Sequence, residues 1–398
     1  MPSSLRTGDA TTGLCDRATS RLHLSCTRRW RCFVAGVALP FALRGAPPAS
    51  RFRSLRVAPL VLCATGGRDY SRSPGDGAAR RITSAITASE TGEDVLKLVA
   101  SSLADFNFIN VSAALSRLAK LQPVVLWKSD ERTHRLVDQA GELVDLMDTQ
   151  ALSNSLWACE KLEITPSWLP RWLKRSSGVL GSMTPQEMSN SIYALGQLQE
   201  KPSDDACLAA FHERSLLCAA TTFDISPPAW MDLFESESCG RLSAFNSMDL
   251  ANTIWAFAKL CHRPSNKWLI TFLDASLAQL PSLNAQDVSN TIWALAELGV
   301  KPMSEWMAAL TQPLMIFLDT LSEQHSANTL WALTVLQEYR NTAFLPLWSC
   351  SQELLTPASD VRSLRNIYCV YKASAAEMPG LLQEPNATVF DAARDAWQ

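Results

Sequence analysis

From Asn284 onward, Val288, Ile292, Leu295 and Gly299, flanked by Thr291 and Leu298, recur at three- and four-residue spacing. That is the period of one helical face, and it predicts an amphipathic helix of about four turns. The same pattern of apolar and polar positions returns along most of the chain. Ser289-Asn-Thr-Ile-Trp-Ala-Leu-Ala-Glu-Leu298 is echoed by Ala251-Asn-Thr-Ile-Trp-Ala-Phe-Ala-Lys-Leu260 and Ala327-Asn-Thr-Leu-Trp-Ala-Leu333. Ser189-Asn-Ser-Ile-Tyr-Ala-Leu195 and Ser153-Asn-Ser-Leu-Trp-Ala-Cys159 are two further copies. Repetition at this length marks stacked supersecondary units.

The repeat has a register. Its asparagines are Asn154, Asn190, Asn252, Asn290 and Asn328, at intervals of 36, 62, 38 and 38 residues. Six residues before each stands Asp148, Thr184, Asn246, Asn284 or Ser322, all able to accept from an orphan backbone N–H at a helix start. Glu187, Asp249 and Asp287 at the third helical position suit capping boxes or the helix dipole, and Pro185 suits the first. A second register precedes the first: Trp168, Trp230, Trp268 and Trp306 each lie 22 residues before an asparagine. These open a second helix per unit after proline-marked turns such as Lys301-Pro-Met-Ser-Glu-Trp306, which runs on through residues like Leu269, Phe272, Leu273 and Leu277. Weaker copies flank the array. Asn107 is expected to cap the helix through Val111 to Leu121, with Trp127 following, and Ser359 the helix through Leu364 to Val370, with Trp348 preceding. Degenerate end copies act as caps of stacked arrays.

The expected fold is therefore all-α: a right-handed superhelical solenoid of six or seven helical hairpins over residues 89–398, with the extra residues of the long interval forming an inserted helix near 200–225. Residues 1–88 differ, holding 14 arginines, no lysine and four acidic residues. This composition is that of a largely disordered organelle-targeting segment, for mitochondrion or plastid. The short apolar stretch from Cys32 to Leu43, preceded by Arg28, Arg29 and Arg31, is compatible with a bipartite signal. No apolar run reaches the roughly 20 residues needed to span a bilayer. Residues 89–398 carry 22 basic and 35 acidic side chains, which counts against a generic phosphate-binding surface.

Motifs of chemistry are absent. No Gly-rich phosphate loop, His-Glu-x-x-His or Gly-x-Ser-x-Gly occurs, and the five histidines share no register. The 11 cysteines include no Cys-x-x-Cys, which suits free thiols in a reducing compartment. Asp204, Asp205 and His212 match no metal-ligand spacing. No catalytic residue, metal site or cofactor is expected.

The pairing of Lys301-Pro-Met-Ser-Glu-Trp306 with Asn284-Ala-Gln-Asp-Val-Ser-Asn-Thr-Ile-Trp-Ala-Leu295 resembles the octotricopeptide repeat family over residues 104–373. That family is related to the leucine-rich mitochondrial proteins resembling Fas-activated kinase. The resemblance implies an organelle-targeted solenoid that binds single-stranded RNA and acts in processing, stability or translation of organellar transcripts. Many members end in a RAP domain; none is recognisable after Lys372, so no role of that domain is carried over. The alternative is a protein-interaction scaffold of armadillo or HEAT type, whose acidic character suits basic partners.

Residue roles divide accordingly. Trp157, Trp255, Trp293 and Trp331 are expected to pack between helices, with base stacking as the competing role, so that truncating Trp293 costs about 3–5 kcal/mol. Asn154, Asn190, Asn252, Asn290 and Asn328 are expected to form a hydrogen-bonded ladder between repeats. Sequence discrimination needs positions that vary between copies. Lys161, Gln197, Lys259 and Glu297, seven residues after successive asparagines, are candidates for RNA contact, as are Gln150, Gln186, Gln286 and Gln324 near the helix starts. Arg171, Lys174 and Arg175 form a separate basic candidate patch.

Overall fold

A computed structural model describes residues 76–198, 227–383 and 386–397. The part of the expected targeting segment up to residue 75 and the inserted helix expected near 200–225 lie outside the described residues. What is described is an α-solenoid, all-helical, with successive helices packed on their neighbours.

Helix α1 (Asp76–Ala88) leads into seven hairpins: α2 (Gly92–Ser102) with α3 (Phe108–Lys120), α5 (Glu131–Leu143) with α6 (Thr149–Lys161), α7 (Leu169–Ser177) with α8 (Pro185–Leu198), α9 (Pro227–Cys239) with α10 (Ser247–Lys259), α11 (Asn266–Leu277) with α12 (Ala285–Glu297), α13 (Ser304–Ile316) with α14 (Glu323–Val335), and α15 (Phe344–Leu354) with α16 (Val361–Glu377). A short helix α4 (Val124–Lys128) joins the first two hairpins, and α17 (Ala387–Trp397) closes the chain. The first helix of each hairpin is called A and the second B. The B helices α3, α6, α8, α10, α12, α14 and α16 pack side by side in one row, with α1 against its first member and α17 against its last. The expected boundary after residue 88 therefore shifts: α1 belongs to the solenoid, where Asn110 Nδ2 donates to Ala79 O and Thr83 Oγ1, both at 2.8 Å, and Ile86 is buried.

The predicted caps start the B helices. Asp148, Asn246, Asn284 and Ser322 each accept from a backbone N–H in the first turn, and Thr184 and Glu187 exchange the two bonds of a capping box. Just before five of the caps an apolar residue is buried together with one five positions on: Phe106 and Val111, Met147 and Leu152, Met183 and Met188, Phe245 and Leu250, Leu283 and Val288. This hydrophobic staple fixes how the chain turns from A to B. At the other end Glu163, Cys261, Gly299 and Gln337 adopt left-handed backbone, and the following N–H reaches back five residues, as Val300 does to Leu295 O at 2.8 Å. One cap is corrected: Asp360, not Ser359, caps α16. Counting six residues from it places Asn366 in the asparagine register and Phe344 in the tryptophan register.

Two hydrogen-bond systems repeat along the stack. In the B row, the residue before the asparagine position is serine in several copies. Ser112 Oγ donates to Ala151 O at 3.4 Å, Ser153 Oγ to Glu187 O at 3.1 Å and Ser289 Oγ to His325 O at 3.2 Å, each on the next B helix. The bond that repeats along the B row thus runs through these hydroxyls, while in the asparagine register Asn366 and Asn328 pair across α16 and α14. Small side chains let the helices come this close. A Cβ built on Gly196 meets Trp255 Cζ3 at 3.2 Å and Ala256 Cα at 3.5 Å.

In the A row, three register tryptophans donate to the preceding A helix: Trp230 Nε1 to Ser176 Oγ at 3.0 Å, Trp268 Nε1 to Ser238 Oγ at 2.9 Å and Trp306 Nε1 to Ser276 Oγ at 3.0 Å. Each serine passes its own proton to the carbonyl three residues back, Leu173, Glu235 or Leu273. Where Leu314 replaces the serine, Phe344 replaces the next tryptophan, so neither a donor nor an acceptor is stranded. Trp168 has no such serine to meet. Its indole donates to Val137 O at 2.7 Å and lies on Gly141, where a Cβ would come within 2.6 Å of the ring.

The two tryptophan registers therefore carry different energies. Trp268 is fully buried, stacked on Phe272 with centroids 5.3 Å apart and edge-on to Phe257 at 4.8 Å. Trp293 is only half-buried. Trp268→Ala is expected to destabilise by about 3–5 kcal/mol, and Trp293→Ala by clearly less, revising the sequence expectation for the latter; urea unfolding of the full chain checks the order. Burial also raises the carboxyl pKa of Asp249 above the usual aspartate value, against the lowering effect of the hydrogen bond from the Asn246 backbone. Folding then takes up a proton between the ordinary and the raised pKa, so the penalty of the ionised group is present at neutral pH and relieved as pH falls through the raised value. Asp249→Asn should raise Tm at neutral pH and lose that advantage in acid, checked by thermal unfolding across pH.

Candidate functional site

Each B helix leaves one face uncovered by its neighbours. Relative to the asparagine register, that face carries the residues four before, at, three after and seven after, a spacing of four, three and four that stacks them along one side of a helix. The glutamine set and the variable set from the sequence fall on it together. Gln150, Gln186, Gln286 and Gln324 are exposed, Lys161, Gln197 and Lys259 half-buried, and Glu297 exposed. Between them run Asn154, Asn190, Asn252, Asn290 and Asn328, all half-buried, and Trp157, Tyr193, Trp293 and Trp331, also half-buried, with Trp255 at 7% exposure. Trp255 lies in the core as expected, whereas Trp157, Trp293 and Trp331 are half-buried rings packed against that core, and the asparagines are half-buried beside them.

The register also recruits residues that sequence reasoning missed. Ile109, Met248 and Arg362 take the glutamine position, all exposed, and Lys120 takes the variable position of the first hairpin. The missing signal lay in the caps, since Asn107 and Asp360 date these positions although the first copy has Ala113 in place of the asparagine. Asn366 Nδ2 donates to Asn328 Oδ1 at 2.9 Å, an amide pair across the last two B helices.

The lysines of the face lie on its rings. Lys120 Nζ is 5.8 Å from the centroid of Trp157, Lys161 Nζ 5.5 Å from Tyr193, and Lys259 Nζ 5.2 Å from Trp293 and 5.3 Å from Trp255. In each case the residue seven after one asparagine position covers the ring three after the next. The attraction is between the ammonium and the negative π face. Gln197 Nε2 donates to the Tyr193 hydroxyl at 2.9 Å. Lys161 is also 3.3 Å from Glu160, whose carboxyl pKa burial pushes up and Lys161 draws down. At Glu297 the protein crowded round the carboxyl raises its pKa above the usual glutamate value, and the charge of Lys259 partly offsets that rise.

The second basic patch does not join this face. Arg171 and Arg175 lie on the A helix α7, where Arg171 pairs with Asp145 at 2.6 Å and Arg175 Nη2 donates to Met147 O at 2.9 Å, tying two hairpins together. Lys174 is on the same A helix. Cys159 is fully buried and burial pushes its thiol pKa up to about 12, which keeps it protonated. Among the described residues no cluster of His, Cys, Asp or Glu is placed to hold a metal ion, and no helix is long and apolar enough to cross a membrane. Asp204, Asp205 and His212 lie outside the described residues.

Against known proteins, no family model matches the chain and no curated protein matches it.

A lysine resting on a half-exposed ring contributes about 0.5–1 kcal/mol. Lys161→Ala and Lys259→Ala are therefore expected to leave helix content unchanged and stability lower by about 1 kcal/mol or less, as read by circular dichroism and urea titration.

Proposed function

We propose that the uncovered face of the B row binds single-stranded RNA, without chemistry of its own, in the RNA metabolism of an organelle. The observation that carries this reading is the row of half-exposed rings with lysines beside them and amide side chains on either hand. Rings offer stacking platforms worth roughly 1–3 kcal/mol per base. Lysines supply phosphate contacts, while Gln and Asn can meet the edges of splayed bases. The resemblance to octotricopeptide repeats supports RNA as the ligand, and the arginine-rich, acid-poor composition of residues 1–88 supports a mitochondrial or plastid address.

A second reading has one observation in its favour. Ile109 and Met248 on the same face are 39% and 45% exposed, as a scaffold docking a basic protein helix through apolar contacts would require.

The test is titration of the full chain with single-stranded RNA of mixed sequence, followed by tryptophan fluorescence at several salt concentrations. RNA binding should quench the fluorescence. Replacing both Lys161 and Lys259 with alanine should weaken binding and reduce the slope of log K against log salt by about 0.7 for each phosphate no longer neutralised. Binding no tighter than that of an acidic folded control protein, or a double variant with unchanged affinity and slope, would overturn the RNA reading in favour of the scaffold.

A further inference from the structure

The face is not uniform along the stack. The residue seven after one asparagine covers the ring of the next hairpin in three places: Lys120 over Trp157, Lys161 over Tyr193 and Lys259 over Trp293. Glu297 and Trp331 stand in that same relation one hairpin later, 34 residues apart like Lys259 and Trp293. A carboxylate is repelled by the negative π face that attracts an ammonium. Among the described residues no lysine ammonium lies over Trp331. The ring is half-buried and Glu297 is exposed, with the Asn328–Asn366 amide pair on the same face. The last part of the row therefore presents a half-exposed ring in register with an acceptor-only group, whose own charged neighbour is Lys259 on the preceding B helix.

Resting on the RNA reading, we propose that Trp331 and Glu297 form a guanine-selective subsite, in which the base stacks on the indole and Glu297 accepts from its edge. An ionised carboxylate has two acceptor oxygens and no donor. Among the four RNA bases only guanine sets two donors side by side on its Watson–Crick edge, the N1–H and the N2 amino group. Adenine and cytosine each present one amino group next to a ring-nitrogen acceptor, and uracil presents one N–H between two carbonyls. Both carboxylate oxygens are satisfied by guanine alone. The lysine-bearing hairpins earlier in the row hold phosphates and tolerate any base, whereas this subsite fixes where along a transcript the protein settles.

The experiment compares an oligouridylate carrying one central guanosine, adenosine or inosine, each bound to the full chain and to Glu297→Gln, Glu297→Lys and Trp331→Ala at mildly alkaline pH, where the carboxylate is ionised. Guanosine should bind about tenfold more tightly than adenosine, with inosine, which lacks the amino group, between them. Glu297→Gln should abolish the preference of guanosine over adenosine. Glu297→Lys should also abolish it and steepen the salt slope by about 0.7. Trp331→Ala should weaken guanosine and adenosine binding together. Equal binding of guanosine and adenosine, or a preference that survives Glu297→Gln, overturns the subsite and leaves the RNA reading standing. Failure of every oligonucleotide to bind overturns both. An arginine-rich peptide whose binding depends on Glu297, while the oligonucleotides bind without preference, overturns the subsite by assigning the pair to a guanidinium.

Discussion

The distance between neighbouring B helices governs the rest of the molecule. Serine, threonine and alanine line their contacts, and the hydroxyls of Ser112, Ser153 and Ser289 reach main-chain carbonyls of the next helix. Such a bond forms only when the backbones approach closely, and a larger side chain at either position forces them apart. Every hairpin that keeps the bond has the same offset to its neighbour. A constant offset is what turns similar helices into a row whose surface positions line up.

The A row meets the same requirement with large residues. An indole crossing from one A helix to the next needs its N–H partnered once buried, and the serine eight residues after the preceding tryptophan provides the acceptor. The bond is directional, so it sets register as well as separation. Its disappearance at Leu314 and Phe344 occurs on both partners at once, the change that avoids stranding a polar group in an apolar interior. Small residues hold one layer and aromatic-to-hydroxyl contacts the other, and neither layer alone closes the core.

Much of this was legible in the sequence. The caps Asp148, Thr184, Asn246, Asn284 and Ser322 date each B helix because N-cap chemistry is local and reads without tertiary information. The core role of Trp268 and Trp306 follows from their register alone. Trp157, Trp293 and Trp331 recur just as regularly, yet they lie at the surface. Recurrence reports a shared environment and not which environment it is. The deciding fact, how far each ring sinks between neighbouring B helices, with Trp255 buried against Gly196 and Trp293 only half-buried, belongs to packing. The asparagines mislead for the same reason: the serine one position earlier points between the helices, and the asparagine, about 100° further round the helix, points toward solvent. Arg175 reads as part of a basic patch because its partner, the carbonyl of Met147, is 28 residues away in sequence.

The lysines on the rings add a constraint on how such a face works. Lys259 is drawn to Trp255 and Trp293 together, so on the proposed RNA reading a base arriving at either ring competes with an ammonium already there. The competition is mild, since an exposed cation–π contact is worth about 0.5–1 kcal/mol and a base stack about 1–3 kcal/mol. The displaced lysine still serves the complex, because a stacked nucleotide brings a phosphate within reach of a flexible four-carbon side chain. Stacking and charge neutralisation are thereby coupled at each hairpin that carries a lysine. At Trp331 no ammonium has to leave, so a base there gains the full stack but no phosphate partner from Glu297. On the proposed RNA reading, affinity and selectivity are drawn from different hairpins of one row, and the exchange of Lys for Glu at a single register position separates them.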